Sequence, residues 1–199
     1  MKLHKLSNSD KIQYLQLRAE ECIIPLDDRY LNIYPNLIQS ISELKLDENN
    51  LALIGSAVFG WMPTQLSLQH SALNKALQIM LDLKNNPSKN LDTAQILELA
   101  NVFQAFGGKS VVAASKLLHF VFPDRFPIWD RIVAKEFGLA SNGEEAPANY
   151  LHFATFCKEM SKQPNVQFGL QVFKDRLIVS GYNYYTTDMR LIELLFFLD

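Results

Sequence analysis

"LANVFQAFGGKSVVAASKLLHF", residues 99–120, decides the fold because a glycine turn lies here between two helical patterns. Before the turn, apolar residues recur at the three-to-four spacing of one helix face: Ile96, Leu99, Ala100, Phe103 and Phe106. Gly107 and Gly108 then allow the backbone to turn sharply. After them, the pattern predicts a second helix from about Ser110 to Phe122. This stretch therefore predicts a helix, a glycine-containing turn and another helix.

The rest of the chain shows the same helical periodicity. About ten short helices are predicted, and neither alternating strands nor Asn-Gly hairpins appear in the sequence. Pro35 falls inside one helical pattern, where it predicts a helix start or a kink. The length of 199 residues suits one domain, residues 1–199, built as two small helical halves that share a core. The predicted fold class is all-α.

Composition limits the partners that the chain can have. Hydrophobic residues make up 48% of the sequence, enough for a buried core, and the net charge is −2. Such a balance gives no overall attraction to nucleic acid. Any contact with nucleic acid must therefore come from a local patch.

The two cysteines, Cys22 and Cys157, lie far apart and outside any C-x-x-C pair. This spacing excludes a zinc ribbon and an iron–sulfur cluster, and it predicts buried thiols in a reducing compartment. No metal and no cofactor are predicted. The first ten residues contain no apolar signal-peptide core, and no run approaches a membrane span. A soluble intracellular monomer is expected.

The helix after the glycine turn carries a polar strip. At about 100° per residue, its polar residues fall within roughly a 120° arc, opposite the apolar side. They are Lys109, Ser115, Lys116 and His119. The strip is interpreted either as a solvated helix face or as a face toward a ligand groove. The amide groups at the start of this helix form either an ordinary turn or an anion site.

"SKLLHFVFPDRFPIWDRIV", residues 115–133, continues from this helix through a proline break. Pro127 disfavours helical geometry at the residue before it, so an extended turn is predicted. Asp130 then stands at an N-cap position, where its carboxylate can accept hydrogen bonds from the amides of Ile132 or Val133. The short helix that follows is expected to end at Gly138.

This order of elements resembles the helix-hairpin-helix DNA glycosylase superfamily, which includes endonuclease III and the 8-oxoguanine glycosylases. In particular, "ASKLLHFVFPDRFPIWD", residues 114–130, resembles a bacterial branch with the pattern A-[ST]-K … P-x-x-[FY]-P-I-x-D and an oxoguanine-glycosylase-like fold. The resemblance covers about residues 95–135. It implies a helix-hairpin-helix near residues 94–122, in a core of about 94–138, and two helical halves around a cleft.

The resemblance also implies catalytic roles. Asp130 matches the catalytic aspartate, which stabilises the cationic sugar and orients the nucleophile. In bifunctional members, a lysine on the second hairpin helix attacks the sugar carbon, and Lys109 or Lys116 can match it. Lys116 is the preferred match because it lies inside the "SKLLHF" pattern. The two lysines could lower each other's pKa.

The remaining predicted site residues serve DNA binding and base extrusion. The hairpin residues Gly107, Gly108, Lys109 and Ser110 are expected to hold a DNA phosphate, and His119 is expected to face the same groove. Aromatic and apolar residues are candidates for a base pocket or wedge, with plain packing as the alternative interpretation: Trp61, Met62, Trp129 and Tyr182.

The function predicted from these features is excision of a damaged or modified base from double-stranded DNA, with a lyase step left open. Two alternatives remain: a non-catalytic DNA-binding or regulatory module with the same fold, and an all-α protein–protein interaction domain in which Asp130 is only a cap. The identity of the base is open, as is the choice between DNA repair and defence against phage. An intracellular protein that joins the nucleoid when bound to DNA is expected.

Overall fold

Ten α-helices form most of the computed structural model, which describes residues 2–61, 66–105, 108–182 and 186–198. The all-α fold class is confirmed. The helices are α1 Asn8–Glu21, α2 Arg29–Ser42, α3 Glu48–Trp61, α4 His70–Asn85, α5 Thr93–Val102, α6 Val111–Val121, α7 Arg131–Phe137, α8 Ala146–Met160, α9 Pro164–Val179 and α10 Asp188–Phe197. A short 3₁₀ turn, Leu3–Lys5, precedes α1.

A small antiparallel sheet corrects the prediction of a purely helical hairpin. Its strands are β1 Leu66–Leu68, β2 Phe103–Ala105 and β3 Gly108–Lys109, in the order β1-β2-β3. Leu66 pairs with Ala105, and Gln104 pairs with Lys109. The helix that was expected to reach Phe106 therefore ends at Val102, because strand pairing takes up the backbone groups that a further helical turn would have used. A β-hairpin joins α5 to α6.

The helices pack in two groups that meet along α6. One group contains α2, α3, α4 and α5, with α6 against three of them. In the other group, α1 lies along α9, and α10 contacts α1, α7, α8 and α9. Both α5 and α6 also touch α8, so the buried residues form one continuous core. The segment between α6 and α7 therefore crosses from one group to the other.

Pro35 lies inside α2, which begins at Arg29, so this helix does not start at Pro35. Gly138 ends α7 with φ of 91°, a left-handed conformation that favours glycine. None of the helices in the described ranges combines the length and the apolar character that crossing a membrane requires.

Candidate active site

Two buried polar residues of α6 fix the segment between α6 and α7. The Ser115 hydroxyl accepts a hydrogen bond from the Trp129 amide at 3.0 Å and lies 2.8 Å from the Val112 carbonyl. His119 Nδ1 lies 2.7 Å from the Phe126 carbonyl. Because a carbonyl can only accept, Nδ1 carries the proton, and Nε2 accepts from the Tyr34 hydroxyl at 2.7 Å. The turn that leads to Asp130 is therefore fixed at both ends.

Asp130 caps α7 as the sequence predicted. Its Oδ1 accepts hydrogen bonds from the Ile132 amide at 2.8 Å and the Val133 amide at 2.9 Å. Both amides bond to the same oxygen, which leaves Oδ2 without a hydrogen-bond partner among the described residues. One carboxylate can thus cap a helix and still present an oxygen to its surroundings.

The half-buried Asp130 lines a crevice where the two helix groups meet. Tyr30 of α2 and Trp61 of α3 line it from one helix group, and residues of α10 form the wall from the other group. The lining residues are Tyr30, Trp61, Ile128, Asp130, Arg190, Glu193 and Phe197. The cavity volume is about 10 Å³, close to the room that one water molecule needs.

A buried ion pair occupies the α10 wall. Arg190 Nη1 bonds to Glu193 Oε2, and the two side chains are 3% and 1% exposed. The Arg190 guanidinium also lies over the Tyr34 ring, 4.6 Å from its centroid, and 6.0 Å from the centroid of Trp61. Such cation–π contacts are strongest where water is excluded. The pair therefore brings two opposite charges into a largely aromatic wall.

Lys116 lies in the interior of the protein rather than on its surface. Its side chain is buried, 6% exposed. Burial lowers the pKa of Lys116 to about 8, against the opposing effect of the nearby charges of Asp130 and Glu193. The expectation that Lys109 would lower this pKa was wrong, since Lys109 is exposed on β3 and burial is the cause.

Glu193 has the opposite shift. Burial and the neighbouring Asp130 raise the pKa of Glu193 to about 7, while Arg190 and Lys116 oppose the rise. Sequence reasoning missed both Arg190 and Glu193. The signal was present in "MRLIELLFF", residues 189–197, where two charged residues three positions apart interrupt an apolar run.

The part of the polar strip that lies on α6 is buried, which corrects its interpretation as a solvated face. Ser115 and His119 are both 0% exposed and Lys116 is 6% exposed, whereas Lys109 on β3 is exposed. His119 in particular was expected to face DNA. Both of its ring nitrogens are occupied inside the core, and burial lowers its pKa to about 3. It acts as a neutral structural residue.

The aromatic candidates separate into one that lines the crevice and two that do not. Trp61 lines it, and its Nε1 donates to the Tyr30 carbonyl at 3.2 Å. Trp129 is instead fully buried, with its ring centroid 5.1 Å from that of Phe153, which corrects its assignment to the base pocket. Tyr182 is also corrected. Its buried hydroxyl bonds to the Pro25 carbonyl at 2.5 Å and the Asp28 amide at 2.7 Å, because the loop before α2 needs these partners.

The hairpin residues border a separate groove. Gly108 and Lys109 are exposed on β3, and Ser110 caps α6 by accepting from the Ala113 amide at 3.2 Å. The groove of about 440 Å³ lies between this end of α6 and residues 141–144. The other two predicted residues, Gly107 and Met62, lie outside the described residues.

Comparison of the chain with protein families, with curated proteins and with solved structures finds no match. Within the described ranges, no cluster of three or more His, Cys, Asp or Glu side chains is arranged to hold a metal ion. Cys22 and Cys157 are buried free thiols. The chemistry open to the site therefore depends on Asp130, Lys116, Arg190 and Glu193.

Proposed function

We propose that this protein excises a modified base from double-stranded DNA by cleaving the N-glycosidic bond. One observation carries the proposal: Asp130 presents a free carboxylate oxygen to a crevice between two helix groups, with the buried Lys116 close enough to interact with its charge. An anion and an amine at one secluded position are the groups that breaking a bond at a sugar carbon requires.

Asp130 supplies electrostatic stabilisation in this scheme. As the bond from the sugar to the base breaks, positive charge develops on the sugar ring. The Oδ2 oxygen of Asp130 is available to that charge, because Oδ1 already holds the two amides of α7. Helix capping fixes the carboxylate in place before the substrate arrives, so no reorganisation is needed during the reaction.

Lys116 supplies the nucleophile. With a pKa of about 8, roughly a quarter of Lys116 is neutral at pH 7.5, against about 0.1% of an ordinary lysine. Only the neutral amine can attack the sugar carbon. The burial that removes Lys116 from the surface therefore also prepares it for covalent chemistry.

The base requires more room than the crevice offers. Space for one water molecule cannot hold a purine or a pyrimidine, so a wall must move when the nucleotide is extruded. Trp61 and Tyr30 form the wall at the ends of α3 and α2. We propose that their displacement accompanies base extrusion and that both rings then pack against the base.

The hairpin groove is the proposed phosphate site. Lys109 supplies an exposed positive charge, and the start of α6 supplies amides in a helix N-terminus, which attracts anions. Phosphate contacts set the position of DNA without reading its sequence. Together, the groove and the crevice provide a place for the backbone and a place for the base.

The test is a panel of duplexes, each carrying one modified base: oxoguanine, an alkylated purine or a bulky modified pyrimidine. Released bases are identified by mass spectrometry, and abasic sites by alkali cleavage. Release from at least one duplex supports the proposal. Binding of DNA without release would assign the chain to the non-catalytic DNA-binding class, and the absence of both would favour the interaction domain.

A further inference from the structure

The loop before α8 contains the only asparagine of the sequence that is followed by glycine: Asn142–Gly143, within "SNGEE", residues 141–145. An asparagine in this pair loses its side-chain nitrogen as ammonia more readily than other asparagines, because no side chain shields the backbone amide that attacks it. The proposed reaction gives neither residue a task. Both line the hairpin groove, however, together with Lys109.

We propose that Asn142 is a site of spontaneous deamidation in the folded protein, and that the carboxylate formed there adds a negative charge to the hairpin groove. The deamidation is independent of the proposed glycosylase function. Its effect on DNA binding rests on that function, because the effect requires the groove to hold a phosphate.

The turn before α8 favours glycine at position 143. Gly143 has φ of 83°, a left-handed conformation that residues with a side chain rarely adopt. Its carbonyl accepts a hydrogen bond from the Ala146 amide at 3.2 Å, which joins this turn to the start of α8. The fold therefore places a residue without a side chain directly after Asn142.

Both reacting groups are open to water. Asn142 and Gly143 are exposed, and no other atom lies within 4 Å of the position that a Cβ would take at Gly143. Neither the Gly143 amide nor the Asn142 side chain makes a hydrogen bond to another described residue. The attacking nitrogen and the carbon that it attacks are therefore free of bonds that would hold them apart.

Asn149, seven residues further on, lacks this freedom. It lies within α8, and its Nδ2 donates to the Ala140 carbonyl at 3.1 Å. The residue after it is the buried Tyr150, and a helical backbone keeps the next amide in the hydrogen bonds of the helix. The two asparagines thus give a labile case and a protected case in one stretch of chain.

The reaction needs only water. Solvent base removes the proton of the Gly143 amide, and the nitrogen forms a bond to Cγ of Asn142. The bond from Cγ to Nδ2 breaks, and the Nδ2 nitrogen leaves as ammonia. Water then opens the five-membered imide at either carbonyl, which gives aspartate or isoaspartate. One neutral amide and one water are thereby replaced by one carboxylic acid, ionised at neutral pH, and one ammonia.

The new charge changes the balance of the hairpin groove. Among its lining residues are one cation and one carboxylate, Lys109 and Glu144, so their charges cancel. After conversion of Asn142, two carboxylates face one cation. A negative charge at this position repels a phosphate group, and the repulsion is strongest at low salt.

The first arm of the test needs no DNA. The folded protein is kept in mildly alkaline buffer, and samples are digested with trypsin and analysed by mass spectrometry with fragmentation. One tryptic peptide, residues 136–158, contains both asparagines. We expect progressive conversion of Asn142 to aspartate and isoaspartate while Asn149 remains intact.

Two controls make this arm decisive. A digest of the protein before incubation measures conversion during digestion, and Asn142→Gln should prevent the acidic form that anion exchange separates from the wild type. Survival of Asn142 in the folded protein for as long as Asn149 would overturn the inference. So would conversion that occurs in the isolated peptide and not in the folded chain.

The second arm separates this inference from the proposed function. Asn142→Asp should bind DNA about two- to fivefold more weakly than wild type at low salt, the effect of one nearby charge, and Asn142→Gln should bind like wild type. Conversion of Asn142 with unchanged affinity in Asn142→Asp would overturn the assignment of phosphate to this groove. Conversion in a chain that neither binds DNA nor releases a base would support the modification and reject the glycosylase.

Discussion

Asp130 combines a structural bond and a free acceptor in one side chain. Oδ1 accepts from the first amides of α7, and Oδ2 has no hydrogen-bond partner among the described residues, while Asp130 lines the crevice. An asparagine can still cap a helix, because its carbonyl oxygen accepts from the same amides. The two tasks of Asp130 can therefore be separated by a substitution that removes charge and little else.

We expect Asp130→Asn to reduce the single-turnover rate of base release by about 100-fold or more, since the charge that stabilises the transition state is lost. The free energy of unfolding should change by less than about 1 kcal/mol, and DNA affinity should be retained. The measurements are excision from the best duplex of the panel, urea denaturation and a binding titration.

Asp28→Asn is the matched control. Asp28 caps α2 with one oxygen, which accepts from the Tyr30 amide at 2.8 Å and the Leu31 amide at 3.0 Å. The same chemical change is thus made at the same kind of cap, and excision should remain near the wild-type rate. A near-native rate in Asp130→Asn would remove Asp130 from the mechanism.

The role of Lys116 as the nucleophile can be tested by chemical trapping. If its amine attacks the sugar, borohydride added during turnover reduces the Schiff base and traps a covalent adduct of protein and DNA. Lys116→Gln should lose the adduct, and the exposed Lys109→Gln should retain it. The readout is a shifted band on a denaturing gel. An adduct that survives in Lys116→Gln and disappears in Lys109→Gln would identify the other lysine as the nucleophile.

At the scale of elements, helix α6 acts as the support on which the proline-bearing turn is fixed. Ser115 binds the turn near its end, at Trp129, and His119 binds it at Phe126. The position of Asp130 therefore depends on two buried polar residues of another element. One of them, His119, makes this support sensitive to acid.

His119→Gln should make the stability of the protein less dependent on pH. The pKa of His119 falls from 6.5 to about 3 on burial, so the unfolded chain binds a proton below about pH 6.5 and the folded chain does not. The wild type thereby loses about 2 kcal/mol between pH 7.5 and pH 5. We expect the difference in unfolding free energy between wild type and His119→Gln to shrink by that amount, measured by urea denaturation at both pH values.

The difference between the wild type and His119→Gln is measured because Glu193 changes the unfolding free energy in the opposite direction over an overlapping pH range. Its pKa is raised to about 7, so the folded chain holds the extra proton and gains stability as the pH falls from about 7 toward 4.5. This contribution is common to both proteins and cancels in the difference. Tyr34→Phe, which keeps the histidine, should retain the wild-type dependence. A difference that stays constant with pH would contradict the assignment.

The helices were predictable from sequence because each has a clear apolar period and an identifiable end, such as Asp130 before α7 and Gly138 after it. The strand Phe103–Ala105 was not, since its pairing partner Leu66–Leu68 lies far away in the chain and local periodicity continued through it. Pairing between distant segments overrides a local preference.

The candidate site was predictable only in part, for the same reason. Asp130 and Lys116 lie in one short pattern, whereas Glu193 and Arg190 come from α10 and join them only through tertiary packing. Helical rotation placed Ser115 and His119 on one face correctly, but it could not show that another element covers that face. Whether a histidine lies in the core or on the surface depends on the assembled fold, so helical rotation alone could not predict it.

At the scale of the whole molecule, the charge is nearly balanced, with a net value of −2, so DNA binding must depend on a few local contacts. We expect weak binding whose affinity falls with salt, because each neutralised phosphate contributes about −0.9 to the slope of log K against log salt. Lys109→Gln should make the slope shallower by about 0.9, and Lys116→Gln should leave it unchanged, since Lys116 is buried. The measurement is fluorescence anisotropy at several salt concentrations. A wild-type slope of zero, or an equal change in both variants, would contradict this placement.

The pairing of α1 with α9 has a consequence for synthesis on the ribosome. Arg176 of α9 donates to the carbonyls of Ala19 and Cys22, each at 2.7 Å, across more than 150 residues of chain. At about 5–20 residues per second, α1 emerges roughly 8–30 s before its partner exists. The group formed by α2 to α6 is contiguous and can assemble during that interval, whereas the group that contains α1 and α10 can close only after α9 has emerged. Helix α1 is therefore without its packing partner throughout that interval.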